Sequence, residues 1–115
     1  MNKRTVGNDS EDIVVRYLEK NGINVIDRNY YTKHGEIDII GTDGEYLVFF
    51  EVKYRKSGVY GDPLEAVTYS KQRRIISSAK VYLYMNHYPE STYVRFDCIG
   101  VLGEKINWIK NAFSL

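Results

Sequence analysis

The segment Tyr46-Leu47-Val48-Phe49-Phe50-Glu51-Val52-Lys53 constrains this chain most. Aromatic and β-branched residues run through it without a turn former, which predicts a strand over residues 45–54. Leu47, Val48, Phe49, Phe50 and Val52 would point to both faces of that strand, so it reads as central and covered on both sides. A buried central strand seldom carries Glu and Lys two residues apart without a use for them. Asp43-Gly44, just before it, is a strong hairpin signal and predicts a partner strand over residues 36–42.

With Asp43 and Gly44 as the loop, Thr42 pairs with Glu45, Glu36 faces Glu51 and Asp38 faces Phe49. Alternation then puts Ile37, Ile39, Tyr46, Val48, Phe50, Val52 and Tyr54 on one apolar face. The other carries Glu36, Asp38, Ile40, Leu47, Phe49, Glu51 and Lys53. It is apolar at the turn end and carries three carboxylates and one lysine at the other. Opposed like charges destabilise a sheet, so a cation is expected there. Lys53 supplies one charge, and a hard divalent ion held by oxygen ligands answers the excess. A polar face screened by water is the plainer reading of the same alternation, but the apolar run around Glu51 favours a site. The argument depends on register, because a slip of one residue would separate the two sets.

The remaining chain predicts the order α-β-β-β-α-β-β. Ile13, Val14, Tyr17 and Leu18 share one face of a helix over residues 6–21, capped by Thr5 and stopped by Gly22. Residues 23–31 read as a strand and 55–62 as a glycine-containing loop. Asp62-Pro63 reads as one helical turn. Ser70 is expected to cap a helix over 71–86 with an inner face of Ile75, Ile76, Ala79, Val81, Tyr82 and Leu83. Residues 93–102 and 105–109 are the last strands, the latter ending near 111–113. A helix between two strands invites a parallel crossover, so the expected fold is α/β, a central mixed sheet flanked by helices on both sides.

At 115 residues the chain fits one domain, 1–115. No apolar run approaches the roughly 20 residues that span a bilayer, and the N-terminus lacks a signal-peptide stretch. No membrane association and a cytoplasmic location are therefore expected. The single cysteine, Cys98, excludes an internal disulfide and a Cys-based zinc site, and reads as a buried small hydrophobe. The net charge is only +1, but residues 1–51 carry −4 and residues 52–80 carry +5. Carboxylates that hold a cation beside Lys/Arg that hold phosphates would produce that split. On charge alone, a basic helix surface is the simpler account and the one to prefer.

Asp38, a gap, then Glu51-Val52-Lys53 resembles the PD-(D/E)XK nuclease signature, an acid on one strand and (D/E)-X-K on the next. A wider set of motifs is Gly7-x-x-x-Glu11, Arg28-Asn29-Tyr30, Gly35-Glu36-Ile37-Asp38-Ile39-Ile40, Phe50-Glu51-Val52-Lys53-x-Arg55, Gly61-Asp62-Pro63, Lys71, Arg95-Phe96-Asp97 and Asn111-Ala112-Phe113. Together these resemble the YraN family of small uncharacterised proteins over nearly the whole chain. The resemblance implies a restriction-endonuclease-like fold, similar to archaeal Holliday-junction resolvases.

It also implies metal-dependent hydrolysis of a phosphodiester. Asp38 and Glu51 would hold Mg²⁺ or Mn²⁺, with the Val52 carbonyl as a third ligand. Lys53 would orient the attacking water or stabilise charge growing on phosphorus. Glu11, by analogy with resolvases, would hold the metal water or a second ion; without the resemblance it reads equally as a helix carboxylate near Arg or Lys. Glu36 is expected to partner Arg55 or Lys53 instead of the ion. Arg55, Lys56, Lys71, Gln72 and Arg74 are candidate phosphate contacts, the last three at a helix start; a solvated helix face is their simpler reading. Arg95 and Asp97 read as a structural ion pair, and His34 and His87 have no metal spacing.

The first functional reading is a DNA endonuclease acting on duplex, branched or single-stranded DNA, with room for a homodimer. The alternatives are a non-catalytic nucleic-acid-binding module of the same fold, or a small adaptor whose acidic hairpin binds a basic partner. The intact trio Asp38, Glu51 and Lys53 favours the first, because binding alone does not need it. The low net charge weakens the second.

Overall fold

The computed structural model describes residues 6–55 and 67–114. The elements follow the expected order: helix α1 (Val6–Lys20), strands β1 (Asn24–Thr32), β2 (Gly35–Asp43) and β3 (Tyr46–Arg55), helix α2 (Tyr69–Met85), and strands β4 (Tyr93–Leu102) and β5 (Lys105–Phe113). The expected Thr5 cap, the 56–62 part of the loop and the Asp62-Pro63 turn lie outside the described residues. The strands form one sheet ordered β1-β2-β3-β4-β5, so β3 is central. The β3–β4 pair is parallel and the other three are antiparallel. This mixed α/β architecture follows from α2, since a parallel return requires a crossover.

Both helix ends show why they stop where they do. Gly22 has φ +93°, its N–H donates to the Glu19 carbonyl, and the Ile23 N–H donates to the Leu18 carbonyl. That closes α1 with two paired orphan carbonyls and a buried Leu18–Ile23 apolar pair. His87 (φ +61°) and Tyr88 repeat the device on Tyr84 and Leu83 at the end of α2. At its start the cap is Thr68, not Ser70: Thr68 is extended, and its Oγ1 accepts from the Lys71 N–H at 3.1 Å.

The hairpin register differs from expectation by two residues. Asp43 pairs with Tyr46 and Ile40 with Phe49, leaving Gly44 and Glu45 as the loop. Gly44 at φ +60° takes the first loop position, where a two-residue turn matching the strand twist needs a positive φ. Gly103-Glu104 does the same between β4 and β5. A shift of two preserves alternation, so the faces assigned to β3 survive.

Two cores result, one on each face of the sheet. Ile40, Leu47, Phe49, Phe96 and Cys98 pack with Ile75, Ile76, Ala79 and Tyr82 of α2. Ile39, Val48, Phe50, Val52 and Ile99 pack with Val14 and Leu18 of α1. Ile37 is an exception and joins the α2 side, because β2 leaves the β3 ladder after Ile39. Ile13 is 51% exposed and lies off the inner face of α1. In α2, Val81 and Leu83 are only half-buried, whereas Ser78 is fully buried. Cys98 is free and buried, as expected. Among the described residues, no helix is long and apolar enough to cross a membrane.

Candidate metal and phosphate site

The backbone ladder between β2 and β3 runs from Asp43/Tyr46 to Ile39/Phe50. Beyond it, a side chain takes over from the backbone: Asp38 Oδ2 accepts the Val52 N–H at 2.7 Å. The strands splay there and open a cavity of about 180 Å³ lined by Asp38, Glu51, Glu36, His34, Lys71 and Arg74, among others. Asp38 and Glu51 thus meet at the mouth of the hairpin, where β3 turns from apolar to charged.

The electrostatics are those of a crowded carboxylate pair. Burial, then the Glu51 charge, pushes the Asp38 carboxyl up to about 8; the Val52 N–H offsets this only in part. Glu51 is 4% exposed, and its Oε2 lies 2.9 Å from Lys71 Nζ and 3.8 Å from Lys53 Nζ. Burial, together with the adjacent Lys71, lowers the pKa of Lys53. Burial also works against the Lys71 ammonium, but its hydrogen bond and attraction to Glu51 outweigh that and raise its pKa.

Glu11 is buried, at 7% exposure, although it lies on a helix. Its Oε1 accepts from Arg28 Nη2 and its Oε2 from Asn29 Nδ2, each at 3.2 Å; Arg28 also holds Asp12 at 2.6 Å. Asn29 Nδ2 reaches Glu36 Oε2 at 2.9 Å, so one amide links the α1 carboxylate to β2. Tyr31 hydrogen-bonds Glu36 as well, which raises the phenol's pKa. The partners seen on Glu36 are Asn29 and Tyr31, while Lys53 lies nearer Glu51. The close pair on the face is Asp38 with Glu51. Among the described residues, no three His, Cys, Asp or Glu side chains converge tightly enough to hold an ion.

The basic residues divide. Lys71 and Arg74 line the cavity, Lys71 directly on Glu51. Gln72 Nε2 donates to the Val67 carbonyl at 3.0 Å and so helps to seat the start of α2. Arg55 ends β3 and is half-buried; Lys56 lies outside the described residues. Arg95 and Asp97 form the expected ion pair. Asp97, fully buried, accepts from Arg95 Nε and Nη2, Trp108 Nε1 and the Asn111 N–H, all at 2.9 Å. With four donors satisfied, it is a strut and not a reagent.

Sequence reasoning assigned no role to Asn29 or His34. Asn29 has φ +52°, a conformation that Asn tolerates better than most residues, and this turns its amide toward two carboxylates. Its place in Arg28-Asn29-Tyr30 was the available signal. His34 sits in the β1–β2 turn, which α2 holds through Ser78: Thr32 Oγ1 and Ser78 Oγ are 2.7 Å apart, and Ser78 donates to the Gly35 carbonyl. A serine on an apolar helix face could have flagged that tie.

Comparisons with known proteins agree with one another. The chain is 49% identical to a UPF0102 protein of Lachnoclostridium phytofermentans, covering 99% of this chain and 97% of the relative. It is 43% identical to one from Vibrio parahaemolyticus (97% and 94% covered) and 41% identical to one from Fusobacterium nucleatum (96% and 92%). The family model for uncharacterised protein family UPF0102 matches residues 10–101, a span that contains Glu11, Asp38, Glu51, Lys53 and Lys71. With that match and full-length relatives of this similarity, the chain belongs to the uncharacterised protein family UPF0102.

Proposed function

We propose that this protein is a divalent-metal-dependent DNA endonuclease with a restriction-endonuclease-like active site. The observation that carries the reading is the meeting of Asp38 and Glu51 at the splayed end of the β2–β3 hairpin, with Lys53 two residues on and 3.8 Å from Glu51 Oε2. Burial, then the Glu51 charge, lifts the Asp38 carboxyl to about 8, so the two carboxylates are costly to hold ionised together unless a cation sits between them. The pair's donors are hard oxygens. Two carboxylates and retained waters suit Mg²⁺ or Mn²⁺ better than an ion that needs a full protein cage.

Asp38 and Glu51 would hold the ion. A strand residue sends its N–H and C=O to the same edge, so the Val52 carbonyl faces the Asp38 side as a third donor. The bound ion would supply polarisation of a phosphate oxygen and an acidified water. Lys53 sits on the same strand face as Glu51 and would place its ammonium against the charge that grows on phosphorus. Arg74, on the cavity wall, would bind a backbone phosphate, and Arg55 would extend that track at the end of β3. Arg28 and Asn29 hold Glu11 beside Glu36, and from there Glu11 would hold a metal-bound water or a second ion.

The test is cleavage of plasmid, single-stranded and four-way-junction DNA with Mg²⁺ or Mn²⁺. Wild type should cut at least one of these and Asp38→Ala none. A wild type that cuts nothing while binding DNA would instead support the binding-module reading, which the Lys71–Glu51 ion pair favours because it already neutralises one carboxylate.

A further inference from the structure

Among the described residues, the shortest ion pair in the cavity joins the crossover helix to the strand that precedes it. Lys71 belongs to the first turn of α2, and Glu51 to the far end of β3. Lys71 Nζ is 2.9 Å from Glu51 Oε2, closer than Lys53 at 3.8 Å, and Glu51 is 4% exposed. A buried carboxylate with little water needs a counter-charge, and here it comes from a long, flexible side chain that is itself 38% exposed. Glu51 Oε2 is also an atom that a divalent ion would claim. An ammonium and a divalent cation cannot both sit against one oxygen without strong repulsion.

Resting on the metal-site reading above, we propose that Lys71 is the site's built-in counter-cation: its ammonium holds the place on Glu51 that Mg²⁺ or Mn²⁺ takes, and the two compete for that carboxylate. Lys71 then sets the affinity for the ion. It keeps Glu51 satisfied in the ion-free protein and weakens ion binding by the work of moving the ammonium away. Its exposed stem lets it swing out without disturbing α2, whose start is held independently by Thr68 and Gln72. Lys53, on the same strand as Glu51 and farther from the oxygen, has a smaller share in this competition.

The experiment is titration calorimetry of the full chain with MnCl₂ at fixed pH and salt, for wild type, Lys71→Met, Lys71→Arg and Lys53→Met. Lys71→Met should bind Mn²⁺ about tenfold more tightly than wild type, and Lys71→Arg, which keeps the charge, should stay within about threefold of wild type. Lys53→Met should tighten binding less than Lys71→Met. Without metal, Lys71→Met should melt below wild type, and Mn²⁺ should close the gap. If Lys71→Met proves unfolded without metal, millimolar Mn²⁺ should refold it, and failure to do so overturns the proposal. Wild-type binding with Lys71→Met equal or weaker overturns the competition while leaving the metal site standing. No Mn²⁺ binding by any variant overturns the metal-site reading itself, and the competition with it.

Discussion

Asp38 Oδ2 accepts the Val52 N–H at 2.7 Å just where backbone pairing between β2 and β3 ends. One carboxylate thereby closes the hairpin and faces the cavity, so its structural and chemical roles can be separated by substitution. Asp38→Asn keeps an oxygen for Val52 and removes the charge, whereas Asp38→Ala leaves the N–H without its partner. Thermal melts should place Asp38→Asn level with or above the metal-free wild type. Asp38→Ala should lie about 1–3 kcal/mol below it. Neither variant should gain from Mn²⁺.

The same residue gives the metal-free protein a signed pH dependence. The Asp38 pKa is raised in the fold, from 3.8 to about 8, so the native state holds a proton that the unfolded chain releases. The stability this provides is fully present below about pH 4 and is lost as pH rises toward 8. Asp38→Asn has no such proton. In EDTA, the wild-type melting temperature should fall relative to Asp38→Asn between pH 5 and 8, and the difference should level off above that. A constant difference across the range would contradict the raised pKa.

Lys53 is expected to act on the transition state. Its side chain is 29% exposed and its 3.8 Å separation from Glu51 Oε2 is loose, so Lys53→Ala should leave the fold intact. Loss of one preorganised donor to a developing oxyanion lowers kcat by about 10²–10³. Single-turnover cleavage with Mn²⁺ should show that drop while DNA affinity changes little. Unchanged turnover would make the lysine structural.

Arg74 lines the cavity and, among the described residues, no carboxylate pairs with it, whereas Lys71 sits on Glu51. If it meets a backbone phosphate, Arg74→Ala should flatten the slope of log K against log salt by about 0.9 on B-form DNA. Fluorescence anisotropy at several salt concentrations reads this directly. A slope that does not move removes Arg74 from the phosphate track.

Gly41 tests the fold independently of function. It pairs with Val25 and Val48 inside the sheet, and a Cβ there would lie 2.8 Å from Ile23 Cγ2 and 2.9 Å from the Asn24 carbonyl oxygen. The second neighbour is backbone and cannot turn aside. Gly41→Ala should cost about 1–3 kcal/mol by overpacking, measured by urea denaturation.

The residues of β3 by themselves determined a central strand with Glu51 and Lys53 on one face, because alternation is a local property of an extended chain. The element order and the parallel crossover were equally legible, from apolar periodicity and from the helix lying between two strands. Asp43-Gly44-Glu45 located the hairpin but offered two adjacent two-residue loops. Gly44 decided between them by taking the positive φ that the first loop position needs. The faces survived because a shift of two keeps parity, whereas the facing pairs did not. What only the tertiary structure decided is which charges meet. Lys71 reaches Glu51 because α2 crosses over the sheet, and Asn29 joins Glu11 to Glu36 because β1 pairs with β2 while α1 packs on the same sheet. Glu51 and Lys71, like Glu11 and Asn29, are far apart along the chain, and local periodicity carries no information about which buried carboxylate a distant side chain will satisfy. Packing of both helices onto the one sheet brings them together, and burial then makes each meeting compulsory.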